Sequence, residues 1–393
     1  MSSLLPDFDW HPRTRLVFGA GSLARIGHLA QEIGGRNVLV VTDAGIVAAG
    51  HVTPAVAHLE NAGFRVAVFD GVQENPTTED VDACVAAARK VGADLLVGLG
   101  GGSAIDTAKG ANFLLTGGGQ MRDYWGVGKA TEPMLPLIAV PTTAGTGSEC
   151  QSFALIADAA THQKMACGDP KAAPRVAILD PTLTVSQPRR VTACTGMDAI
   201  AHAVETAVTN RRNPVSWLYS REAFRLLIAN FFRVLGTPDD VKARGGMLLG
   251  AAYAGLAIEN SMLGAAHSAA NPLTAHFGIA HGQAVGMMLP HIVRFNAGLS
   301  DARESYRELM TFADRLDGEA TAAHAVETLV SCLEDCLLIA GFSSSLTDCG
   351  VPEKAILMIA EEAAAQWTAT FNPHPATADD FARLYRATMG ERD

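Results

Sequence analysis

Asp94 to Lys109 reads D-L-L-V-G-L-G-G-G-S-A-I-D-T-A-K. The apolar run D-L-L-V-G-L has the length and composition of a buried strand, and S-A-I-D-T-A-K those of a helix. Gly100, Gly101 and Gly102 join the two without a spacer. Glycine lets backbone come close to a ligand, and the unpaired N–H groups of the helix that follows, opened by Ser103, attract an anion. A strand that turns through glycines into a helix is half of a parallel strand–helix–strand unit.

The flanking sequence repeats that unit. R-T-R-L-V-F reads as a strand and Ser22–Ile33 as a helix. N-V-L-V-V-T is a short buried strand, and Val52–Ala62 a helix stopped by Gly63. R-V-A-V-F is a strand, and Thr78 opens a helix to Val91 with Glu79 and Asp80 in its first turn, where they complement the helix dipole. A helix over Ser103–Leu115, the strand L-P-L-I-A-V and a last strand V-A-I-L complete the series, up to Asp180-Pro181. Alternation at this spacing implies a parallel sheet covered on both faces, an α/β nucleotide-binding domain.

A second glycine turn competes for a phosphate. Gly19-Ala-Gly21-Ser-Leu-Ala24 lies between strand and helix, with Asp43 at the end of the next strand, close to the dinucleotide fingerprint. The turn at 100–103 abuts its strand and helix more tightly and is preferred for a pyrophosphate. Pro141-Thr-Thr-Ala-Gly-Thr-Gly-Ser-Glu149 follows L-I-A-V at the same carboxyl edge of the sheet, and its hydroxyls suit a polar ligand. Gly117-Gly-Gly119 reads as a flexible turn without a ligand.

After Pro188 strand signals nearly vanish. Helices are expected at roughly 196–209, 214–233, 238–260, 262–276, 282–296, 301–315, 321–340, 352–366 and 378–389. The boundary falls between Pro181 and Pro188, giving an α/β domain over 1–184 and an all-helical domain over 185–393. In the helical half, T-G-M-D-A-I-A-H-A-V-E places Asp198 and His202 four apart, one turn of one helix face. His267 and His281 add two imidazoles from G-A-A-H-S-A-A-N-P-L-T-A-H-F-G-I-A-H. One carboxylate and three neutral imidazoles suit a divalent cation such as Fe2+ or Zn2+. Set in a cleft between the halves, these groups would bring metal and nucleotide together.

Composition excludes other classes. The net charge is −11, with 18% charged residues, so no basic stripe fits a nucleic-acid backbone. No apolar run reaches membrane-spanning length, and M-S-S-L-L-P-D-F-D-W has neither the cationic nor the apolar region of a secretory signal. Seven cysteines without C-x-x-C pairs read as reduced thiols of a cytoplasmic protein.

G-G-G-S-A-I-D-T-A-K, P-T-T-A-G-T-G-S-E, T-G-M-D-A-I-A-H-A-V-E, and His267 followed fourteen residues later by His281-Gly282, occur in this order. Together they resemble the iron-containing, or group III, alcohol dehydrogenase family over nearly the whole chain. The resemblance implies the dehydroquinate synthase-like architecture of a nucleotide-binding α/β domain and an all-α metal-binding domain. It gives Asp198, His202, His267 and His281 the metal-ligand role and the pyrophosphate to Gly101, Gly102 and Ser103. Asp43 would then bind the adenosine ribose, with Asn75, Thr142, Thr143, Thr146, Lys164 and Leu183 lining the cofactor cleft. An acidic residue at 43 opposes a 2′-phosphate, which favours NAD over NADP. The implied activity is NAD(H)-linked interconversion of a small alcohol, diol or hydroxy acid with its aldehyde or ketone, by a homo-oligomer, commonly a dimer.

One position departs from the family. Its members typically carry a further His four residues after the third ligand, and here that residue is Asn271, counted with the catalytic positions. An amide can orient water and the cofactor ribose but cannot exchange a proton near neutral pH. His276, nine positions from His267, falls on the opposite side of a continuing helix. Phe153 hints at an apolar contact where some members face the substrate with a polar group. Two other classes remain: a dehydroquinate synthase-like lyase, which uses the nucleotide only transiently, and a non-catalytic nucleotide-binding relative.

Overall fold

The computed structural model describes residues 7–161 and 163–390. The first six residues, part of the segment read above as lacking a secretory signal, lie outside that range. One compact unit spans His11–Gln187, and the other joins Pro188 onward to the segment ending at Trp10.

The first unit carries a six-stranded parallel sheet. Its strands are β1 (Arg15–Phe18), β2 (Asn37–Val41), β3 (Arg65–Phe69), β4 (Leu95–Gly100), β6 (Leu137–Pro141) and β9 (Val176–Leu179), in the order β1-β9-β6-β4-β2-β3. Strand β5 (Gly126–Val127) belongs to a second, smaller sheet. The helices are α1 (Ile26–Ile33), α2 (Ala44–Ala48), α3 (Val52–Asn61), α4 (Thr78–Val91) and α5 (Gly102–Gly117). Strand side chains alternate between faces. Leu39, Val41 and Leu96 therefore enter the core under α4 and α5, while Val38, Val40, Leu95, Val97 and Leu99 enter the one that includes Leu29 of α1 and Leu59 of α3. With both faces covered, the central strands read as continuous apolar runs, which is why sequence periodicity placed them well.

Three local details differ from the sequence reading. The cap of α4 is Thr77, which forms a capping box with Asp80, instead of Thr78. A short α2 sits behind Asp43, whose carboxylate accepts from Ile46 N at 3.0 Å. The small sheet, in the order β5-β8-β7, adds β7 (Phe153–Ala157) antiparallel to β8 (Lys164–Gly168). Five-residue strands with mixed exposure leave too little pattern to read.

The second unit is helical: α6 (Arg189–Thr206), α7 (Pro214–Gly236), α8 (Val241–Ser261), α9 (Ala265–Phe277), α10 (His281–Asn296), α11 (Ser300–Phe312), α12 (Ala322–Ala340), α13 (Ile356–Ala365) and α14 (Ala378–Ala387). Helix α6 is central and packs on α7, α8 and α10. It begins at Arg189, seven residues before the expected start. Thr195-Gly196 resembles a helix boundary in sequence, yet Gly196 lies within α6, where a Cβ would meet the Phe231 ring at 2.7 Å. Gly246 and Gly250 of α8 likewise lie against Asn230 and Leu227 of α7, so small residues set the close approach of these helices. Among the described residues no helix is long and apolar enough to cross a membrane.

Candidate active site

The two glycine turns of the first unit have different fates. At the first, Asp180 fills the position a phosphate would take: its carboxylate accepts from Gly21 N at 3.1 Å and Leu23 N at 3.0 Å. At the second, no side chain caps α5. Gly100 has φ +154° and a Cβ there would meet Ala104 Cβ at 2.9 Å, so strand and helix meet only because the residue is glycine.

Because β4 pairs with β6, with Gly100 opposite Pro141, the loop after β6 lies beside this turn. A Cβ on Gly102 would stand 2.8 Å from Thr146 Oγ1, and one on Gly101 3.4 Å from Thr143 Cγ2. Thr142 N donates to Gly100 O at 2.9 Å, and Thr142 Oγ1 is buried without a hydrogen-bond partner. Asp43, at the end of β2, brings Oδ2 within 3.5 Å of a Cβ built on Gly100. Asp43, Gly101, Gly102, Ser103, Thr142, Thr143 and Thr146 thus gather at one sheet edge. Uncapped α5 N–H groups, hydroxyls and an acid suit a dinucleotide.

Three other expected cofactor residues lie on other segments of the first unit. Asn75 is exposed with φ 53°, two residues before the bridge between Thr77 and Ala157. Lys164 pairs across the hairpin with that same Ala157. The Leu183 side chain is 5% exposed and packs in the core with Val17 and Leu23. Phe153 lays its ring over Gly168, where a Cβ would meet it at 2.3 Å.

Beneath the loop, Lys109 is fully buried. Its Nζ donates to Ser148 O at 2.6 Å, Ser148 Oγ at 2.8 Å and Phe153 O at 2.8 Å, while Asp106 accepts from Ser148 Oγ and from Leu155 N. The A-I-D-T-A-K motif therefore braces the loop from within. Glu149 is 2% exposed, and its Oε1 has no hydrogen-bond partner. Burial pushes its carboxyl up to about 7, against its backbone hydrogen bond and Lys109 and with help from Asp106. Its unfolded value is lower, so between the two values the unfolded chain binds fewer protons. Stability then falls as pH rises through that window and levels off above about 7. Glu149→Gln should gain up to about 3 kcal/mol over the parent at about pH 8 and much less at about pH 5, measured by urea unfolding at both. Equal gains at both would exclude a titrating Glu149.

In the second unit, α6 carries Asp198 and His202, α9 carries His267, and His281 is the first residue of α10. Asp198 Oδ1 lies 3.3 Å from His202 Nε2, 3.2 Å from His267 Nε2 and 3.7 Å from His281 Nε2. The ligand atoms of Asp198, His267 and His281 lie within 4.8 Å of one another. His202 stacks on His267 with ring centroids 4.8 Å apart. Tetrahedral donors about 2.1 Å from a cation stand about 3.4 Å from each other, and the three distances to Asp198 Oδ1 match that spacing. Burial works against the Asp198 anion, but His202, His267 and His281 hold its carboxyl well below the usual range. Burial also works against a charged His267, yet Glu205 and Asp198 raise it to about 9. Three imidazole nitrogens gathered at one buried carboxylate fit a cation.

Sequence reading missed two residues here. Glu205 is 3% exposed and its Oε2 takes the Nδ1 of His267 in a short contact. It stands one turn beyond His202 in the motif, but nothing local indicates which helix it faces. Gly282 lies against the α6 backbone, where a Cβ would stand 1.9 Å from Cys194 O. Asn271, one turn after His267, donates Nδ2 to Gln366 Oε1 at 3.1 Å. His276 is spent on Glu362 at 2.8 Å, as its place on the far side of α9 implied.

Residues 12–181 match the iron-containing alcohol dehydrogenase family, and residues 192–389 its C-terminal Fe-containing domain. The chain is 35% identical to alcohol dehydrogenase 4 of Schizosaccharomyces pombe, over 95% of this chain and 87% of that one. It is 33% identical to the NAD-dependent methanol dehydrogenase of Bacillus methanolicus, over 95% and 97% of the two. A crystal structure of a 1,3-propanediol oxidoreductase superposes with a TM-score of 0.94 at 31% identity, covering 98% of this chain and all of the other. Motifs, fold and matches agree from end to end: the chain belongs to the iron-containing alcohol dehydrogenase family and is an NAD-linked oxidoreductase.

Proposed function

We propose that this enzyme interconverts a small primary alcohol or diol with its aldehyde, using NAD(H) and a divalent cation, Fe2+ before Zn2+, held by Asp198, His202, His267 and His281. The observation that carries the reading is the meeting of three imidazole Nε2 atoms at one Asp198 oxygen. When bound, the cation supplies positive charge that polarises an alcohol oxygen, and the nicotinamide supplies the hydride acceptor. Asp198 contributes the one negative charge of the ligand set, and three neutral imidazoles leave a net positive centre for the substrate oxygen. Asp43, placed at the glycine turn, disfavours a 2′-phosphate and so NADP. The α5 N-terminus, with Gly101, Gly102 and Ser103, takes the pyrophosphate, and Thr142, Thr143 and Thr146 orient the rest.

Asn271 cannot carry the proton that an imidazole would, so it orients solvent and ribose while the proton leaves through them. Its amide is already turned by Gln366. Asn75, Lys164 and Leu183 complete the cofactor surface through neighbouring backbone and side chains. The enzyme acts as a cytoplasmic homodimer in this reading, and β1, an edge strand with Phe18 48% exposed, offers a pairing surface.

The test is a panel of short alcohols, diols, hydroxy acids and aldehydes, run with NAD or NADH on protein of measured metal content. NADH should form with alcohols or diols and be consumed with aldehydes, in proportion to bound metal. Absence of net NADH formation with every alcohol, and of NADH consumption with every aldehyde, would refute the proposal and leave a lyase or a binding protein.

A further inference from the structure

Glu205 is a buried acid with three close nitrogen partners, all on one short stretch. Its Oε1 accepts from Ala266 N at 2.7 Å and His267 N at 3.4 Å, and its Oε2 meets His267 Nδ1. The carboxylate thus caps the first turn of α9 from α6, where the helix dipole favours an anion. Gly264 makes room for it, since a Cβ there would stand 3.1 Å from Oε1. Asn372 takes the neighbouring donor, Ala265 N, at 3.2 Å. Both oxygens of Glu205 are therefore acceptors, each facing an N–H.

That arrangement dictates which nitrogen of His267 carries a proton. A carboxylate can only accept, so the Nδ1 facing it must donate. The lone pair of the neutral ring then sits on Nε2, the atom 3.2 Å from Asp198 Oδ1. We propose that Glu205 is a positioning residue that fixes the tautomer and rotation of His267, so that its Nε2 lone pair meets the metal. This rests on the reading of Asp198, His202, His267 and His281 as metal ligands.

An amide cannot replace this acid. In Glu205→Gln, an amide oxygen facing Ala266 N turns the NH2 toward Nδ1, which must then accept, and the proton moves to Nε2. In the reverse orientation the NH2 faces a backbone donor. Either way one contact becomes donor against donor or the metal-facing nitrogen is blocked. Outer partners of metal-bound imidazoles are worth 10–100-fold in metal affinity.

The full-length protein is stripped of metal and titrated with Zn2+ against a chromophoric chelator, for the parent, Glu205→Gln and Glu205→Asp. Glu205→Gln should bind Zn2+ 10–100-fold more weakly, and Glu205→Asp, which keeps an anionic acceptor, should fall between the two. The second readout needs no variant: in zinc-loaded parent protein with 15N-labelled histidine, the His267 Nδ1 should carry a hydrogen-bonded proton. Folded Glu205→Gln with parental affinity, or a bare His267 Nδ1, overturns the proposal while the metal site stands. A parent that binds no Zn2+ would remove the ligand reading itself, and this inference with it.

Discussion

Asp198→Asn should leave a folded protein that no longer retains metal and has lost at least about a thousandfold in kcat/KM. Asp198 is the sole anion among the four proposed ligands, and its Oδ1 is the atom on which three imidazoles converge. An amide offers one neutral oxygen in its place and presents N–H donors to any imidazole on its other side. The charge stabilisation supplied by a bound cation is worth several kcal/mol, and about 4 kcal/mol corresponds to a thousandfold in rate. The groups gathered near Gly101 are untouched, so NADH affinity by fluorescence titration should stay within about threefold, on the scale where 1.4 kcal/mol is tenfold. Parental turnover with parental metal content in the Asn variant would end the four-ligand account.

Gly282→Ala should destabilise the helical unit and empty the metal site at once. The added methyl would stand 1.9 Å from Cys194 O and 2.6 Å from Cys194 C. These are backbone atoms of α6, the helix that also carries Asp198 and His202, so no rotamer change relieves the overlap. Either α10 moves off α6 or α6 bends. Overpacking of this kind costs typically 1–3 kcal/mol, and backbone against backbone puts this case at about 3 kcal/mol or above. For a unit of this size that lowers Tm by roughly 6–12 °C. His281 is the neighbouring residue, 3.7 Å from Asp198 Oδ1, and would leave with α10. Gly236→Ala is the control: nothing lies within 4 Å of a Cβ there, and Tm should hold. Equal melting of the two variants would show that the contact between α6 and α10 does not govern the site.

The second prediction explains the pairing of His281 with Gly282 in the motif. The histidine is useful only where α10 can touch α6, and the glycine permits the touch. Glu205 carries the same lesson. It was present in the quoted stretch, but its role depends on α9, which begins sixty residues later in the chain.

From sequence alone came the parallel sheet, the helical second half, the turn at Gly100–Ser103 and the Asp198–His202 pair. Each is encoded by residues within one or two turns or strands of each other, where periodicity of two or of three to four acts directly. Tertiary structure alone decided what closes the other glycine turn. Asp180, more than 150 residues on, closes the one at Gly19–Ala24 with two backbone hydrogen bonds. It also decided the small sheet, the contact of Gly282 with Cys194 and the grip of Glu205 on His267. In each the partner is distant in sequence, and what unites the pair is the packing of whole elements, which no local pattern records.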